Sequence, residues 1–228
     1  MRSPPSVEAL ATLTDKVITP QARSIRNLFI EPFVKNYIAK VAFFANVAKE
    51  DSTTLTVTGC GAMLLSNKKS KIKVEGATIG KVFDFDYKNS FDLGGAMAPS
   101  AIETLLTHFD DFKRKPSDYD LILTGDLSQI GFSVVSTALN NKFENVKNYD
   151  DCGLIVYDYF TQKVFSGGSG CGCSAVVTCG YIKEKLLSGE LKRVLICPTG
   201  ALMNMTTTLQ KESIPAITHA FILERVEE

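Results

Sequence analysis

The spacing of hydrophobic residues divides the chain into an N-terminal segment and a longer region in which strand and helix patterns alternate. From Thr54 onward, strand-like apolar runs at 54–66 and 71–83 are separated by turn residues. Residues 97–112 then place apolar side chains at intervals of 4, 3, 4 and 3, which is one face of a helix. Ser100 and Glu103 have the spacing of a helix capping box.

The same alternation continues through the rest of the chain. It predicts, in order, a buried strand at 118–128, a helix through 133–141, a strand pair at 150–160 and 162–168, a helix at 173–190, and strands at 193–200 and 217–226. Such an order is typical of an α/β fold, in which ligands bind where strands end and loops begin.

Residues 1–53 follow a different pattern. The stretch 24–50 is helix-like and modestly basic, and prolines at positions 20 and 32 interrupt the region. We therefore divide the chain into an N-terminal helical segment, residues 1–53, and a main domain, residues 54–228. The segment either packs against the main domain or presents a surface to a membrane or a partner protein.

Composition narrows the class of protein. Lys plus Arg and Asp plus Glu each number 25 among 228 residues, so the basic surplus of a nucleic-acid-binding protein is missing. The apolar run VAFFA is far shorter than a transmembrane helix, and the first ten residues carry no signal-peptide core. We expect a cytosolic chain without a nucleic-acid partner, whose six cysteines stay reduced.

The most unusual stretch is GGSGCGCSAV, residues 167–176, with four glycines and two cysteines. A helix N-terminus lowers the pKa of a thiol, so Cys171 or Cys173 is a candidate nucleophile, although neither histidine is placed at a comparable loop to act as its base. The two cysteines have no second paired set of ligands, so we predict neither a metal nor a cofactor. The alternative is a glycine-rich turn that lets backbones crowd a small ligand or another helix.

Several ordered segments carry a resemblance to a known family. TVTGCGAMLLS, ATIGKVFDF, FDLGGAMAPSA, DYDLILTGDLS, DDCGLIVY, VFSGGSGCGCSAVVT, PTGALMN and QKESIPAITHAFILERV together resemble the stage V sporulation protein AD family, thiolase-fold proteins of spore-forming bacteria. The resemblance runs from about Thr54 to the C-terminal residues. It implies a thiolase-like fold, mainly its C-terminal half, with a mixed sheet and helices packed on its faces.

The resemblance also implies a function. Members of the family take part in the binding of dipicolinic acid and its uptake into the developing spore, together with membrane proteins of the same sporulation complex. They are linked to release of this ligand at spore germination. A member of the family would lie in the cytoplasm or the forespore, or peripherally at the spore inner membrane.

In condensing enzymes of the thiolase superfamily, two strand-end loops of this half carry a histidine and an asparagine or histidine. Here those positions fall near Asp126 and Cys171, which do not match the catalytic pattern, so the resemblance implies a pocket without catalysis. The predicted ligand-binding residues are Gly125, Asp126, Asp151, Cys152, Cys171, Gly172 and Gly200. The aspartates would orient loops or hold a bridging calcium ion, and a turn cap is an equal alternative for Asp151.

The superfamily also has an N-terminal half with a cysteine nucleophile, which residues 1–53 do not resemble. We expect the apolar face that this half would cover to be covered by a separate chain, by a second copy of this chain, or partly by residues 1–53. Two hypotheses therefore stand beside dipicolinic acid binding. One is an acyltransferase that uses Cys171 or Cys173, and the other is a structural half-domain that needs a partner chain.

Overall fold

The structure is a computed structural model, which describes the backbone of residues 6–13 and, in full, residues 51–157, 161–162 and 164–226. The strands are β1 Ser6–Leu13, β2 Leu55–Thr56, β3 Cys60–Ser66, β4 Ile72–Thr78, β5 Val82–Phe83, β6 Leu121–Thr124, β7 Tyr149–Asp151, β8 Gly168–Ser169, β9 Arg193–Cys197, β10 Thr199–Ala201, β11 Ala216–Thr218 and β12 Ala220–Arg225. The helices are α1 Leu93–Phe112, α2 Ser128–Lys142, α3 Cys152–Val156, α4 Cys173–Val177, α5 Lys183–Ser188 and α6 Met205–Leu209.

The main sheet has seven strands in the spatial order β3-β1-β4-β12-β9-β6-β7. Strands β9, β6 and β7 are parallel to one another, whereas β12 is antiparallel to both of its neighbours, β9 and β4. A three-stranded sheet, β10-β11-β5, and the parallel pair β2-β8 complete the set among the described residues. The sheet is therefore mixed, and the predicted α/β class is confirmed.

Both faces of the central strands are buried. Consecutive residues of β6, β9 and β12 belong in turn to two separate clusters of buried side chains, as the pairs Ile122/Leu123, Leu195/Ile196 and Ile222/Leu223 show. Successive side chains of a strand point to opposite faces, so these two clusters lie on opposite faces of the sheet. Helices α1 and α2 contribute to the first cluster, and α4 and α5 contribute to the second.

Helix α1 begins earlier than its sequence signal indicated. Its N-cap is Asp92, whose side chain accepts a hydrogen bond from the backbone N–H of Gly95 at 2.8 Å. The predicted capping box at Ser100 and Glu103 is therefore wrong, because Ser100 lies inside the helix and donates to the carbonyl of Met97. The apolar face predicted for this helix is confirmed, since it packs into the core.

The predicted strand pair at 150–160 and 162–168 is wrong. Strand β7 ends at Asp151, whose side chain accepts a hydrogen bond from the N–H of Gly153 at 2.9 Å and so caps helix α3. The apolar run that follows is consequently helical. Within the described part of 162–168, β8 begins at Gly168 and pairs in parallel with β2.

The predicted helix at 173–190 is present in three consecutive pieces. A π-helical turn, Thr178–Ile182, joins α4 to α5. Gly189, with φ of +83°, ends α5 in the left-handed conformation that glycine adopts without strain.

Part of the N-terminal segment belongs to the main sheet. Ser6–Leu13, inside the predicted helical segment 1–53, is strand β1 and pairs antiparallel with β3. The helix-like stretch 24–50 lies outside the described residues. Among the helices that the structure describes, none has the length and apolar character needed to cross a membrane.

Candidate functional site

The carboxyl ends of three parallel strands meet at one edge of the main sheet. Thr124, the last residue of β6, is in register with Asp151 of β7 and with Cys197 of β9. The predicted positions Gly125, Asp126 and Cys152 follow directly, and Gly200 lies three residues beyond Cys197. The structure thus brings these strand ends together, as expected for parallel strands.

Asp126 ties this edge to the glycine-rich loop. Its Oδ1 accepts a hydrogen bond from the Thr199 hydroxyl at 2.6 Å. Its Oδ2 accepts from the Ser169 hydroxyl at 2.7 Å and from the N–H of Gly170 at 2.9 Å. One carboxylate therefore connects the end of β6, the end of β8 and the start of β10.

The environment of Asp126 is poorly suited to a negative charge. Only 8% of the residue is exposed, and burial raises the pKa of its carboxyl above the ordinary value. The hydrogen bonds from Thr199, Gly170 and Ser169 act in the opposite direction and lower this pKa. All three of these partners are neutral, so the charge is stabilised by dipoles alone.

Asp151 has no exposed surface and accepts four hydrogen bonds at this edge. Its Oδ1 accepts from the N–H groups of Ser128 and Gly153, both at 2.9 Å. Its Oδ2 accepts from the Thr124 hydroxyl at 2.7 Å and from the N–H of Leu127 at 3.0 Å. Burial raises the pKa of Asp151 to about 7 despite these bonds.

This geometry gives Asp151 a positioning role. Ser128 begins α2 with φ of +55°, an uncommon conformation for a residue with a side chain, and the bond to Asp151 holds it there. Of the predicted ligand-binding residues, Asp151 and Cys152 are both fully buried and offer a ligand no surface. Asp151 caps helix α3, whereas the alternative considered from the sequence was a turn cap before a strand.

The cysteines at this edge differ in accessibility. Cys171 is exposed, whereas Cys152 and Cys173 are buried. Burial raises the pKa of the Cys173 thiol, and the nearby carboxylates of Asp126 and Asp151 raise it further. The expectation of a lowered thiol pKa is therefore wrong for Cys173, because desolvation and negative neighbours both oppose the thiolate.

Two of the predicted glycines allow close approach of backbones. A Cβ atom on Gly172 would lie 2.4 Å from the carbonyl oxygen of Gly59, and one on Gly125 would lie 2.7 Å from the backbone nitrogen of Thr199. These glycines hold the loops together, which is the structural alternative that the sequence left open.

Gly200 belongs to a different surface, an open cavity of about 330 Å³ beside the three-stranded sheet. The residues that line this cavity are almost all apolar: Val82, Gly200, Ala201, Leu202, Pro215, Ala216 and Ile217. Of the seven predicted ligand-binding residues, Gly200 alone is among them.

Both histidines of the chain are engaged away from the cysteines. His108 is buried, with hydrogen bonds of 2.8 Å from Nδ1 to the Thr78 hydroxyl and from Nε2 to the Tyr119 hydroxyl. His219 accepts a hydrogen bond at Nδ1 from the N–H of Gly80. Within residues 51–157, 161–162 and 164–226, no group of three or more His, Cys, Asp or Glu side chains is placed to hold a metal ion.

The sequence missed the hydroxyl groups of the site. Ser169 and Thr199 donate to Asp126, and Thr124 donates to Asp151. Each lies beside a glycine at a strand end, and this combination was the available signal. The contacts of Ser169 and Thr199 with Asp126 join residues that are 43 and 73 positions apart in the sequence. Local sequence patterns carry no information over such separations.

The chain matches known proteins over most of its length. The family model of stage V sporulation protein AD matches residues 43–224. The curated stage V sporulation protein AD of Bacillus subtilis (strain 168) is 48% identical over 178 residues, which are 78% of this chain and 52% of that protein. The chain thus spans about half the length of this relative.

Solved structures with a related arrangement are distant in sequence. Human mitochondrial 3-ketoacyl-CoA thiolase is 11% identical, with a TM-score of 0.44, and the match covers 77% of this chain and 38% of the thiolase. The acetyl-CoA acetyltransferase of Bacillus anthracis is 12% identical, with a TM-score of 0.42 and the same coverage of both chains. For 3-oxoacyl-[acyl-carrier-protein] synthase III of Aquifex aeolicus VF5 the identity is 11% and the TM-score 0.39, covering 72% of this chain and 48% of the synthase.

Proposed function

The chain belongs to the stage V sporulation protein AD family, and from this premise we propose that it binds dipicolinic acid without catalysis and helps to deliver it into the developing spore. Dipicolinic acid is a pyridine ring flanked by two carboxylates. A binding site for it needs hydrogen-bond donors for the carboxylates and an apolar surface for the ring. We choose this ligand because the chain belongs to the family, whereas we infer the absence of catalysis from the geometry of the site.

We infer the absence of catalysis from the raised pKa of the buried Cys173 thiol. A thiolate nucleophile needs a lowered pKa or an adjacent base. Burial instead raises the pKa of Cys173, and the carboxylates of Asp126 and Asp151 raise it further. Neither imidazole is hydrogen-bonded to a cysteine, because His108 and His219 bind other partners. The buried Cys173 is therefore ill-suited to acyl transfer.

The glycine-rich loop carries hydrogen-bond donors of the kind that a dicarboxylate ligand needs. The exposed Cys171 follows the buried Ser169 hydroxyl and the Gly170 N–H, both of which donate to Asp126 in the structure. The apolar cavity that Gly200 lines, one residue after Thr199 in the chain, is an apolar surface of the kind that a ring needs. A calcium ion bound together with the ligand would reduce the repulsion between its carboxylates and Asp126.

The remaining parts of the proposal concern partners and location. We propose that the protein acts with membrane proteins of the same sporulation complex, in the cytoplasm or forespore or peripherally at the spore inner membrane. We also propose that it packs against a separate chain or a second copy of this chain.

Calorimetric titration of the purified chain with dipicolinic acid, with and without calcium, tests the proposal. We expect saturable binding by a sample whose far-UV circular dichroism shows that it is folded. Folded protein that binds no dipicolinic acid under either condition would contradict the proposal for this chain alone.

A negative charge introduced at Cys171 tests whether dipicolinate binds near this residue. We expect Cys171→Glu to weaken dipicolinate binding by about tenfold or more, because the new carboxylate repels the dianion at short range. Cys171→Gln is the matched control, since it has the same size without the charge, and its affinity should stay within about threefold of the wild type. Equal affinity of the two variants would place the ligand elsewhere.

Incubation with an acyl-CoA, followed by intact-mass analysis, tests the rival acyltransferase hypothesis. We expect no acyl adduct on the chain. An adduct that disappears in Cys171→Ala or Cys173→Ala would overturn the non-catalytic part of the proposal.

A further inference from the structure

The groups that hold Asp126 have the arrangement of a carboxylate-binding site. The Thr199 hydroxyl donates to one oxygen at 2.6 Å, while the Ser169 hydroxyl and the Gly170 N–H donate to the other at 2.7 and 2.9 Å. The donors come from two loops that are distant in sequence, and a single carboxylate bridges them. A carboxylate of another molecule would find the same three donors.

Backbone contacts hold these donors independently of the Asp126 side chain. Ser169 belongs to β8 and is paired with Thr56 of β2. Gly170 has φ of +114°, a conformation that favours glycine and directs its N–H towards the carboxylate. The Thr199 hydroxyl also accepts a hydrogen bond from the backbone N–H of Asp126 at 3.1 Å, which fixes its position. The donor set would therefore persist if the carboxylate of Asp126 left it.

Asp126 is a displaceable occupant of this set. Its three partners are neutral, so no ion pair retains it. The residue is buried but keeps a small exposed fraction, 8%, whereas Asp151 has none. Release of its carboxylate would restore full hydration to a charge that burial disfavours, and an incoming carboxylate would restore the three hydrogen bonds.

We propose that Ser169, Gly170 and Thr199 form a binding site for a ligand carboxylate, and that Asp126 occupies this site from within until a carboxylate ligand replaces it. The inference rests on the proposed function for the identity of the natural ligand, one of whose two carboxylates would take the place of Asp126. Asp126 is then an internal competitor that raises the ligand concentration at which the site fills.

The inference is tested by removing the Asp126 carboxylate and adding formate, the smallest carboxylate. In Asp126→Ala the donors are vacated, and we expect about 100 mM sodium formate to raise Tm by about 3 °C relative to sodium chloride of equal ionic strength. The wild type should show no formate-specific shift, because its site is filled. Asp126→Asn is the matched control, since its side chain still fills the space, and it should not respond either.

The outcomes separate the inference from the proposed function. Equal responses of Asp126→Ala to formate and chloride would overturn the inference, even if the wild type binds dipicolinate. A formate response without dipicolinate binding in any variant would keep the carboxylate site and reject the proposed ligand. If Asp126→Ala is unfolded in chloride, recovery of its circular dichroism in formate is the supporting result, and lack of recovery counts against the inference.

A second measurement concerns the natural ligand. If Asp126 competes with it, Asp126→Ala should bind dipicolinate at least about tenfold more tightly than the wild type. Weaker binding by a folded Asp126→Ala would mean that Asp126 supports the ligand site instead of occupying it.

Discussion

His108 shows how burial changes the chemistry of one residue. Its imidazole lies in the core, between the hydroxyls of Thr78 and Tyr119, and stacks on Phe112 with a centroid distance of 4.5 Å. From the sequence, a histidine on this helix is more often a surface residue than a ligand. Its burial depends on strands far away in the chain, and that information is absent from the helical pattern.

The buried state of His108 predicts a dependence of stability on pH. Burial, with the positive charge of Arg114, lowers the pKa of His108 to about 4, whereas it is near 6.5 in the unfolded chain. Between these two values the unfolded chain binds more protons than the folded protein, so the free energy of unfolding falls as the pH is lowered. From pH 7 to about pH 5, we expect His108 to account for a loss of about 2 kcal/mol.

Urea denaturation of the wild type and of His108→Gln at both pH values measures this loss. Glutamine can both donate and accept hydrogen bonds but does not titrate in this range. The difference in stability between the two proteins should therefore change by about 2 kcal/mol with pH, in favour of the variant at the lower value. A difference that stays constant with pH would show that His108 is not protonated on unfolding.

At the scale of elements, the sequence was most informative where one periodic pattern covers a whole element. The apolar stripe of α1, the buried strand β6 and the helix α2 are all present. The errors arose at element ends, which depend on single hydrogen bonds. Asp92 begins α1 before the capping box that the sequence suggested, and Asp151 turns an apolar run that resembles a strand into α3.

Substitution of Asp151 should also have a large effect at this scale, because the hydrogen bonds of its side chain connect the ends of three elements. Asp151→Asn would replace one acceptor oxygen with an NH₂ group that faces existing donors, and leave at least one backbone N–H unpaired. We expect the free energy of unfolding to fall by about 3 kcal/mol, as measured by urea denaturation.

Asp150→Asn is the neighbouring control. The Oδ1 atom of Asp150 accepts one hydrogen bond, from the N–H of Asp151 at 2.8 Å, and an asparagine oxygen can replace it. Its effect should stay within about 1 kcal/mol. Similar losses in the two variants would argue against a special role for Asp151.

At the scale of the whole molecule, the family and the α/β class followed from the order of many segments, whereas the site depended on contacts between distant loops. Asp126 was singled out from its position after a buried strand, but its partners were not. The hydroxyls that bind it become neighbours only when β6, β8 and β10 meet. The sequence could therefore place the site at this edge without showing which groups face each other.

The apolar cavity beside the three-stranded sheet predicts that the folded chain binds a hydrophobic dye. Leu202 lines the cavity and is 66% exposed, and exposed apolar surfaces of this kind bind such dyes. We expect Leu202→Gln to reduce the fluorescence of bound 8-anilinonaphthalene-1-sulfonate by about half or more, without loss of stability.

Leu209 provides the comparison for this measurement. It is 79% exposed but does not line the cavity, so Leu209→Gln should leave the dye signal nearly unchanged. Equal reductions in the two variants would indicate that the dye reports general surface hydrophobicity. Suppression of the signal by a partner protein would identify the cavity as the surface that the partner covers.

The position of β12 has a consequence for biosynthesis. This strand, Ala220–Arg225, lies between β4 and β9, although it follows every other strand of the sheet in sequence. During translation, the β4 side and the β9-β6-β7 side are made first, and neither can join the other until β12 has left the ribosome. Ribosome-bound nascent chains that stop before residue 220 should therefore expose two unpaired strand edges to chaperones and proteases.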